Sequence, residues 1–472
     1  MTIGALAALL DAALTGDGAI EDGGSVDFAR LRADTDFAAL RAEAAVIAAA
    51  LAARGLGADE PVHLAIGNRA VDLAGMLGIW RAGGVVVPVH RAAHPETIRR
   101  IAALSAARFA IDAAALTAIA AAPPPARPLL EGAALVIFTS GSTGLPKGAV
   151  LGHDRFAAKI AALGRLLALR PADRVSLPLQ LTFIFGIWVA LVALSARARL
   201  ALLPRFSAAA QAKALAEGAS VLAAVPTMLR TMQAETGLQG AGPRLVLAGG
   251  EPLGADIRRA VAHAWPHTEI RDLYGLTETG SSDFCQTQAQ AATTGNPIGR
   301  PTEGVGFRIA ATADGQAGEL QIRSPYAMLG YLDAPELTAQ SFADGYFRTG
   351  DLARAEPDGT VSLVGRAKEI VSRGGNKIAP LEIDTLLASH PDIAAALTAG
   401  VPDARLGEAL HCIVVPRAGS TLDADAIRRW MAERVERFKL PDNIAIEPAL
   451  PLGPTGKASR AAIRARVTGE GA

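Results

Sequence analysis

The stretch ALVIFTSGSTGLPKGAVLGH, residues 134–153, decides how the chain is read. Its opening run, ALVIFTS, is apolar enough to be a strand buried on both faces. The loop that follows carries four hydroxyls (Thr139, Ser140, Ser142, Thr143), three glycines (Gly141, Gly144, Gly148) and one cation, Lys147. A buried strand that delivers hydroxyls, exposed backbone N–H groups and a lysine to a sheet edge puts phosphate-binding chemistry where α/β folds hold their ligands. The loop is not a Walker A motif. Counting from Gly141 the lysine falls correctly, but Pro146 replaces the second glycine and Gly148 the hydroxyl. The G-x-G-x-x-G spacing of dinucleotide folds is also missing. Pro146 and Gly148 disfavour a helix and GAVLG reads as extended, so a helix dipole is not the source of attraction. The inventory suits a clamp on a polyphosphate that is held and then released. The same residue types also build ordinary surface turns, so the rest of the chain must decide.

Outward from this loop, strands and helices alternate. PVHLAIGN (61–68) and GVVVPV (84–89) are strands around a helix over 69–82, whose Leu73, Met76, Leu77 and Trp80 share a face. A helix over 95–107 and the strand RFAID (108–112) complete a βαβαβ unit. After the proline-rich connector AAPPPARP (121–128) the alternation resumes with SVLAAVP (220–226), RLVLAGG (244–250) and EIRDLYG (269–275). This pattern predicts a layered, largely parallel α/β sheet. From about 298 to 364, short strands with turn signals (GFRIA, GELQIRS, PDGTVSLVG) predict a β-rich lobe. The composition changes again at GRAK, and we place a domain boundary there, giving units 1–365 and 366–472. No internal repeat is visible.

Composition narrows the function classes. A chain of 472 residues exceeds one ordinary core, so two or more domains are expected. Half the residues are apolar, 19% are charged and the formal net charge is zero, which gives no nucleic-acid or membrane-surface footprint. Arg460, Arg464 and Arg466 read as a solvated helix face. Cys285 and Cys412 form neither a disulfide framework nor a metal spacing. His90/His94 and His263/His267 are four apart, but Pro95 and Pro266 spoil a helical ligand pair. No G-x-S-x-G elbow supports serine hydrolysis. The N-terminus has no basic region and carries Asp11, unlike a secretory signal. The most apolar run, 181–196, is short for a bilayer and reads as a buried helix. The expectation is a soluble, cytoplasmic protein.

Three further strand ends are unusual. LAGGEPL (247–253) stops a strand at Gly249 and Gly250, which allows close backbone approach to a flat ring. DLYGLTETG (272–280) offers an aromatic face, a hydroxyl and a carboxylate in Tyr274, Thr277 and Glu278. YFRTGDLA (346–353) presents Asp351 after a glycine. Singly, each also has a plain structural role as a turn, a core aromatic or a cap.

Together, TSGSTGLPKG, YGLTE, TGD, GRAKEIVSRGGNKIAPLEI and the closing PTGK occur in the order seen in one superfamily. The chain resembles acyl- and aryl-CoA ligases, peptide-synthetase adenylation domains and firefly luciferases. The resemblance spans roughly 134–457; the first 130 residues match only in general pattern. It implies an α/β fold, with a large N-terminal domain of layered sheets plus the β-rich lobe, and a small mobile α+β C-terminal domain. It also implies an AMP-forming enzyme that makes an acyl-adenylate from ATP and a carboxylate, then passes the acyl group to a thiol.

By the same resemblance, Thr139, Ser140, Gly141, Ser142, Thr143, Gly144 and Lys147 grip the β/γ-phosphates. Gly249, Gly250, Glu251, Tyr274 and Gly275 line the adenine pocket, with Asp272 accepting from the adenine amino group. Thr277 touches the α-phosphate and Glu278 ligates Mg²⁺. Asp351 takes the ribose hydroxyls beside Arg366. Lys457 bridges the carboxylate and the α-phosphate. Lys368 is the hinge, and Gly374 and Gly375 lie beside the thiol's channel. His153 is read as structural.

Two departures bear on the substrate. The stretch LPLQLTFIFGIW (177–188) lacks the pocket-gating histidine of many acyl-CoA ligases, leaving Phe183 or Phe185 in its place. It also lacks the aspartate that pairs an α-amino acid's ammonium. The expected pocket, Phe183, Phe185, Trp188, Val225, Met228, Gly249 and Leu276, is apolar and suits a fatty or aromatic acid. The acceptor is coenzyme A or the phosphopantetheine of an acyl carrier protein. A non-catalytic nucleotide-binding module is the remaining alternative, against which Lys457 and Glu278 weigh.

Overall fold

The computed structural model describes residues 5–15, 19–22, 34–112, 115–140, 146–287, 296–311, 317–417, 419–452 and 458–469. Of the predicted site residues, Gly141, Ser142, Thr143, Gly144 and Lys457 lie outside these, as do the side chain of Ser140 and the PTGK motif (454–457).

The predicted βαβαβ unit is present in a sheet of seven strands among the described residues. Pro61–Ile66 pairs in parallel with Val85–His90 and with Phe109–Asp112. The intervening helix, Ala70–Arg81, is buried almost all round, as expected of a crossover pressed between layers. Trp80 anchors it, donating from Nε1 to the Ala134 carbonyl at 2.8 Å. The next helix, Pro95–Ser105, begins with its proline at the first turn, where the missing N–H costs nothing. GAVLG is extended as read: Pro146–Gly152 runs antiparallel to Ala133–Ser140, with Thr139 opposite Lys147. The helix His153–Leu167 starts only after this second strand.

Among the described residues the large sheet contains fourteen strands. Its parallel centre is ordered Glu269–Tyr274, Leu245–Gly249, Val221–Ala224, Arg174–Leu177, Arg199–Leu202. All five strands run the same way, so their C-terminal ends form one edge. The apolar run 181–196 becomes the buried helix Ile184–Ser195. Among the described residues no helix is long and apolar enough to cross a membrane. The short strands expected for the β-rich lobe are bonded onto this sheet rather than separate from it. Asn296–Pro301 joins Phe284–Thr287 on one side and Val361–Arg366 on the other.

A sheet of five strands among the described residues lies in the C-terminal part. The long hairpin of Ile393–Asp403 and Gly407–Pro416 is packed by the helices Pro380–Ala388 and Ala424–Ala432 around its own apolar cluster, which includes Val371, Ile383, Leu410 and Met431. Ion pairing to the rest of the chain includes Arg417 with Asp256, at 3.8 Å.

Candidate active site

The C-terminal edge of the parallel strands opens into a cavity of about 420 Å³. Phe183, Phe185, Val225, Met228, Gly250, Glu251, Gly275 and Thr277 line it, so most of the predicted adenine and acid-binding residues face one space. A second cavity, about 380 Å³, lies at the opposite ends of the strands Leu245–Gly249 and Glu269–Tyr274, beside Trp265 and His267. None of the motif residues lines it.

Two glycines allow the close approaches that shape the first cavity. A Cβ on Gly249 would lie 2.7 Å from the Leu273 carbonyl and 3.2 Å from the Phe185 ring, so a side chain there would clash with the backbone and crowd that ring. A Cβ on Gly275 would lie 2.1 Å from the Ser282 amide. Ser281 and Ser282 also line the cavity, and both hold left-handed backbone, with φ of 70° and 52°. Such strain persists only where surroundings enforce it. Here the fully buried Lys159 donates to the Ser282 carbonyl at 3.0 Å, and Thr302 Oγ1 donates to the same oxygen at 3.0 Å. Burial lowers the Lys159 pKa, against the pull of the Asp283 charge. Burial likewise pushes Asp283 up to about 6.

Phe185 stacks on Trp188, ring centroids 5.3 Å apart. Trp188 is wholly buried and backs the wall rather than lining it. Phe183 caps the start of helix Ile184–Ser195 and is half-exposed at the cavity. Leu276 packs instead against the cluster around Phe284 and Tyr326. Glu251 Oε2 accepts from both the Thr227 amide and its hydroxyl, at 3.2 and 2.6 Å, which turns this carboxylate along the wall.

Tyr274, Asp351 and Arg366 come together from three separate strands. The Tyr274 hydroxyl donates to Asp351 Oδ2 at 2.6 Å, and Arg366 Nε to Oδ1 at 2.8 Å. Burial, and then the Asp351 charge, raise the Tyr274 pKa, so the phenol stays protonated as a donor. The same carboxylate raises the Arg366 pKa. Asp272 accepts from Arg258 at 2.9 Å, and burial pushes its own pKa up to about 7. One Asp272 oxygen therefore already has a partner within the protein.

Glu278 sits in a short 3₁₀ turn, Thr277–Thr279, and its Oε1 accepts from the Tyr331 hydroxyl at 2.9 Å. Lys147 lies over the face of the same tyrosine, 5.7 Å from its centroid. Tyr331 thus stands between the phosphate-loop lysine and the carboxylate predicted to hold metal. The sequence reading missed it, because its partners are remote along the chain and its strand, Gly330–Tyr331, has two residues. Among the described residues no group of three or more His, Cys, Asp or Glu side chains could hold a metal.

His153 is buried edge-on against Trp80, at 6.0 Å, and burial lowers its pKa to about 4, in keeping with a structural role. Lys368 is exposed in the 3₁₀ turn Ala367–Glu369 that leaves the large sheet. Gly374 and Gly375 form the turn between Val371–Arg373 and Asn376–Ile378, the Gly374 amide donating to the Leu406 carbonyl at 2.8 Å.

Comparisons with known proteins give a consistent result. The family described as AMP-binding enzyme matches residues 26–332, and the AMP-binding enzyme C-terminal domain matches 382–457. A sulfoacetate–CoA ligase of Cupriavidus necator is 32% identical, covering 90% of this chain and 91% of its own. The fatty acid–[acyl-carrier-protein] ligase ScoC of Streptomyces coeruleorubidus is 30% identical over 71% of this chain and 68% of its own. The crystal structure of ATP-bound MatB from Rhodopseudomonas palustris superposes with a TM-score of 0.82 at 27% identity, covering 99% of both chains.

Proposed function

Because the chain belongs to the AMP-binding enzyme family, and so is an acid–thiol ligase that uses ATP and coenzyme A, we propose that it activates a carboxylic acid with an apolar body as an acyl-adenylate and transfers the acyl group to the coenzyme A thiol. The observation that carries this reading is the single cavity onto which Gly250, Gly275 and Thr277 open together with the aromatic wall of Phe183 and Phe185. The nucleotide would lie at the Gly249–Tyr274 end and the acid against the aromatic wall.

Each residue then has a task that its chemistry suits. The Thr139–Lys147 loop holds the β- and γ-phosphates, and Thr277 the α-phosphate. Tyr274, Gly249 and Gly250 flank the adenine. Asp351, already oriented by Tyr274 and Arg366, accepts from the ribose hydroxyls. A lone carboxylate fits a Mg²⁺ whose other ligands are phosphate oxygens and water, and Glu278 would provide it, aimed by Tyr331. That ion would neutralise charge on the phosphates. Lys457 would screen the repulsion between the attacking carboxylate and the α-phosphate, a task worth about 4 kcal/mol at 4 Å and an effective dielectric of 20.

The chain divides into a unit 1–365 that binds ATP and acid and a unit 366–472 that carries Lys457. Lys457 and the Gly374–Gly375 turn serve different half-reactions from the same small unit, which favours rotation about Lys368 between them. The relative ScoC, named for a carrier-protein acceptor, supports a second reading in which phosphopantetheine on a carrier replaces free coenzyme A.

The test is acid-dependent, Mg²⁺-dependent exchange of pyrophosphate into ATP, followed by thioester formation with coenzyme A and carrier protein in competition. AMP and pyrophosphate are the expected products. ADP formation, or exchange indifferent to the added acid, refutes the reading; preference for the carrier selects the second. Glu278→Gln should raise the Mg²⁺ concentration required, in both exchange and equilibrium binding of Mg·ATP, without unfolding the protein.

A further inference from the structure

The cavity is apolar along its wall, yet it ends on a cation. Arg205 and Glu251 are the charged side chains lining it, among the described residues. Glu251 is held by Thr227 at the end of strand Leu245–Gly249, on the nucleotide side. Arg205 is exposed and has no hydrogen-bond or ion-pair partner among the described residues.

The strand order fixes where this cation stands. From Leu245–Gly249 the sheet steps through Val221–Ala224 and Arg174–Leu177 to Arg199–Leu202, all parallel. Arg205 follows the last of these. Three interstrand steps of about 4.8 Å place it roughly 14 Å along the edge from Gly249. Its backbone is secured on both sides: Gln180 Nε2 donates to the Pro204 carbonyl at 3.1 Å, and Phe206 packs against the core behind the sheet. The guanidinium is therefore presented from a fixed base at the end of the cavity remote from the adenylating end.

We propose that Arg205 reads a second, anionic group at the far end of the acid, so that the preferred substrate is an apolar-bodied acid ending in a carboxylate or sulfonate. This rests on the ligase reading above. An uncharged tail would offer the guanidinium no acceptor, whereas an oxyanion pairs with its fork of donors. The length follows too. Extended chain covers about 1.2 Å per bond, so the arginine side chain reaches back about 6 Å of the 14 Å. A hydrogen bond of about 3 Å from the guanidinium takes up part of the remaining 8 Å, which leaves about 5 Å between the two acid groups, or about four bonds.

The experiment measures pyrophosphate exchange with linear α,ω-diacids and ω-sulfo acids of about four to ten carbons, each against the monoacid of equal length. For the wild type, the diacid-to-monoacid ratio of kcat/KM should exceed one and peak near five carbons. Arg205→Leu should lower that ratio at least tenfold, through KM. Arg205→Lys should keep part of it, and Arg205→Glu should shift preference to ω-amino acids. If carboxylate and sulfonate both respond to Arg205, the site reads charge; if one alone does, that oxyanion is the ligand. A ratio unchanged in Arg205→Leu, or below one at every length in the wild type, overturns the proposal and leaves the ligase reading standing. Exchange with none of the acids, mono or di, overturns both.

Discussion

Replacing Asp351 by alanine separates a ribose-binding carboxylate from a turn residue. Asp351 is 3% exposed, and its oxygens accept from the Tyr274 hydroxyl at 2.6 Å and from Arg366 Nε at 2.8 Å. Alanine removes both bonds and leaves the Tyr274 hydroxyl without its acceptor. The first bond is buried and charge-assisted, worth ~1.5–3 kcal/mol. The second involves a guanidinium side chain that is 61% exposed, so solvent screening holds it to ~0–1 kcal/mol. The variant should therefore lose about 2–4 kcal/mol of stability. A carboxylate offers about four lone-pair positions, so two remain for ribose hydroxyls after the protein's own bonds are made. Losing even one such bond, at ~1.5–3 kcal/mol, raises KM for ATP at least about tenfold. Tyr274→Phe is the control, since it removes the hydroxyl and keeps both the ring and the carboxylate. It should cost stability and change ATP use far less. The assay is pyrophosphate exchange at varied ATP and saturating acid, with urea denaturation run alongside. Wild-type ATP kinetics in Asp351→Ala would refute the ribose assignment, as would an equal rise in KM in Tyr274→Phe.

Lys457→Ala should lose roughly a thousandfold in adenylation yet still convert a supplied acyl-adenylate to thioester; equal loss in both half-reactions counts against its role. Lys368→Pro, which fixes φ near −65°, should do the reverse, and slowed adenylation with normal thioester formation would exclude the hinge. Lys159→Met should cost ~1.5–3 kcal/mol, because the Ser282 carbonyl loses a charged donor; an unchanged midpoint in urea titrations would show that this bond does not hold the turn. Acid should destabilise the fold through His63 and His153, both lowered to about 4 by burial. The unfolded chain binds their protons at pH 6.5, so between pH 6.5 and 4 it carries more protons than the native state. Stability present above pH 6.5 is then lost as pH falls, by about 3 kcal/mol per imidazole; a His153→Gln variant with the same pH slope in thermal unfolding would contradict this.

Local pattern was enough for much of the molecule. The apolar run before the phosphate loop, the extended GAVLG and the helical spacing of Leu73, Met76, Leu77 and Trp80 each reflect the backbone's own periodicity, which short segments encode without help. The strand stop at the glycines ending RLVLAGG was legible for the same reason, and the strand Leu245–Gly249 ends there. What short-range pattern could not encode was which side chains meet. Tyr274, Asp351 and Arg366 converge because the strand Tyr346–Ala355 pairs with Val361–Arg366, putting Asp351 opposite Arg366, while Tyr274 arrives from the parallel centre. Tyr331 finds Glu278, and Lys159 finds the Ser282 carbonyl, across 53 and 123 residues of chain. Leu276, grouped with the acid pocket from the sequence, turns instead to the Phe284 cluster, because the 3₁₀ turn sends neighbouring side chains in different directions. Arg205 was silent in sequence, one arginine among many. Only the order of the strands, set by long-range hydrogen bonding, stations it at the far end of the cavity.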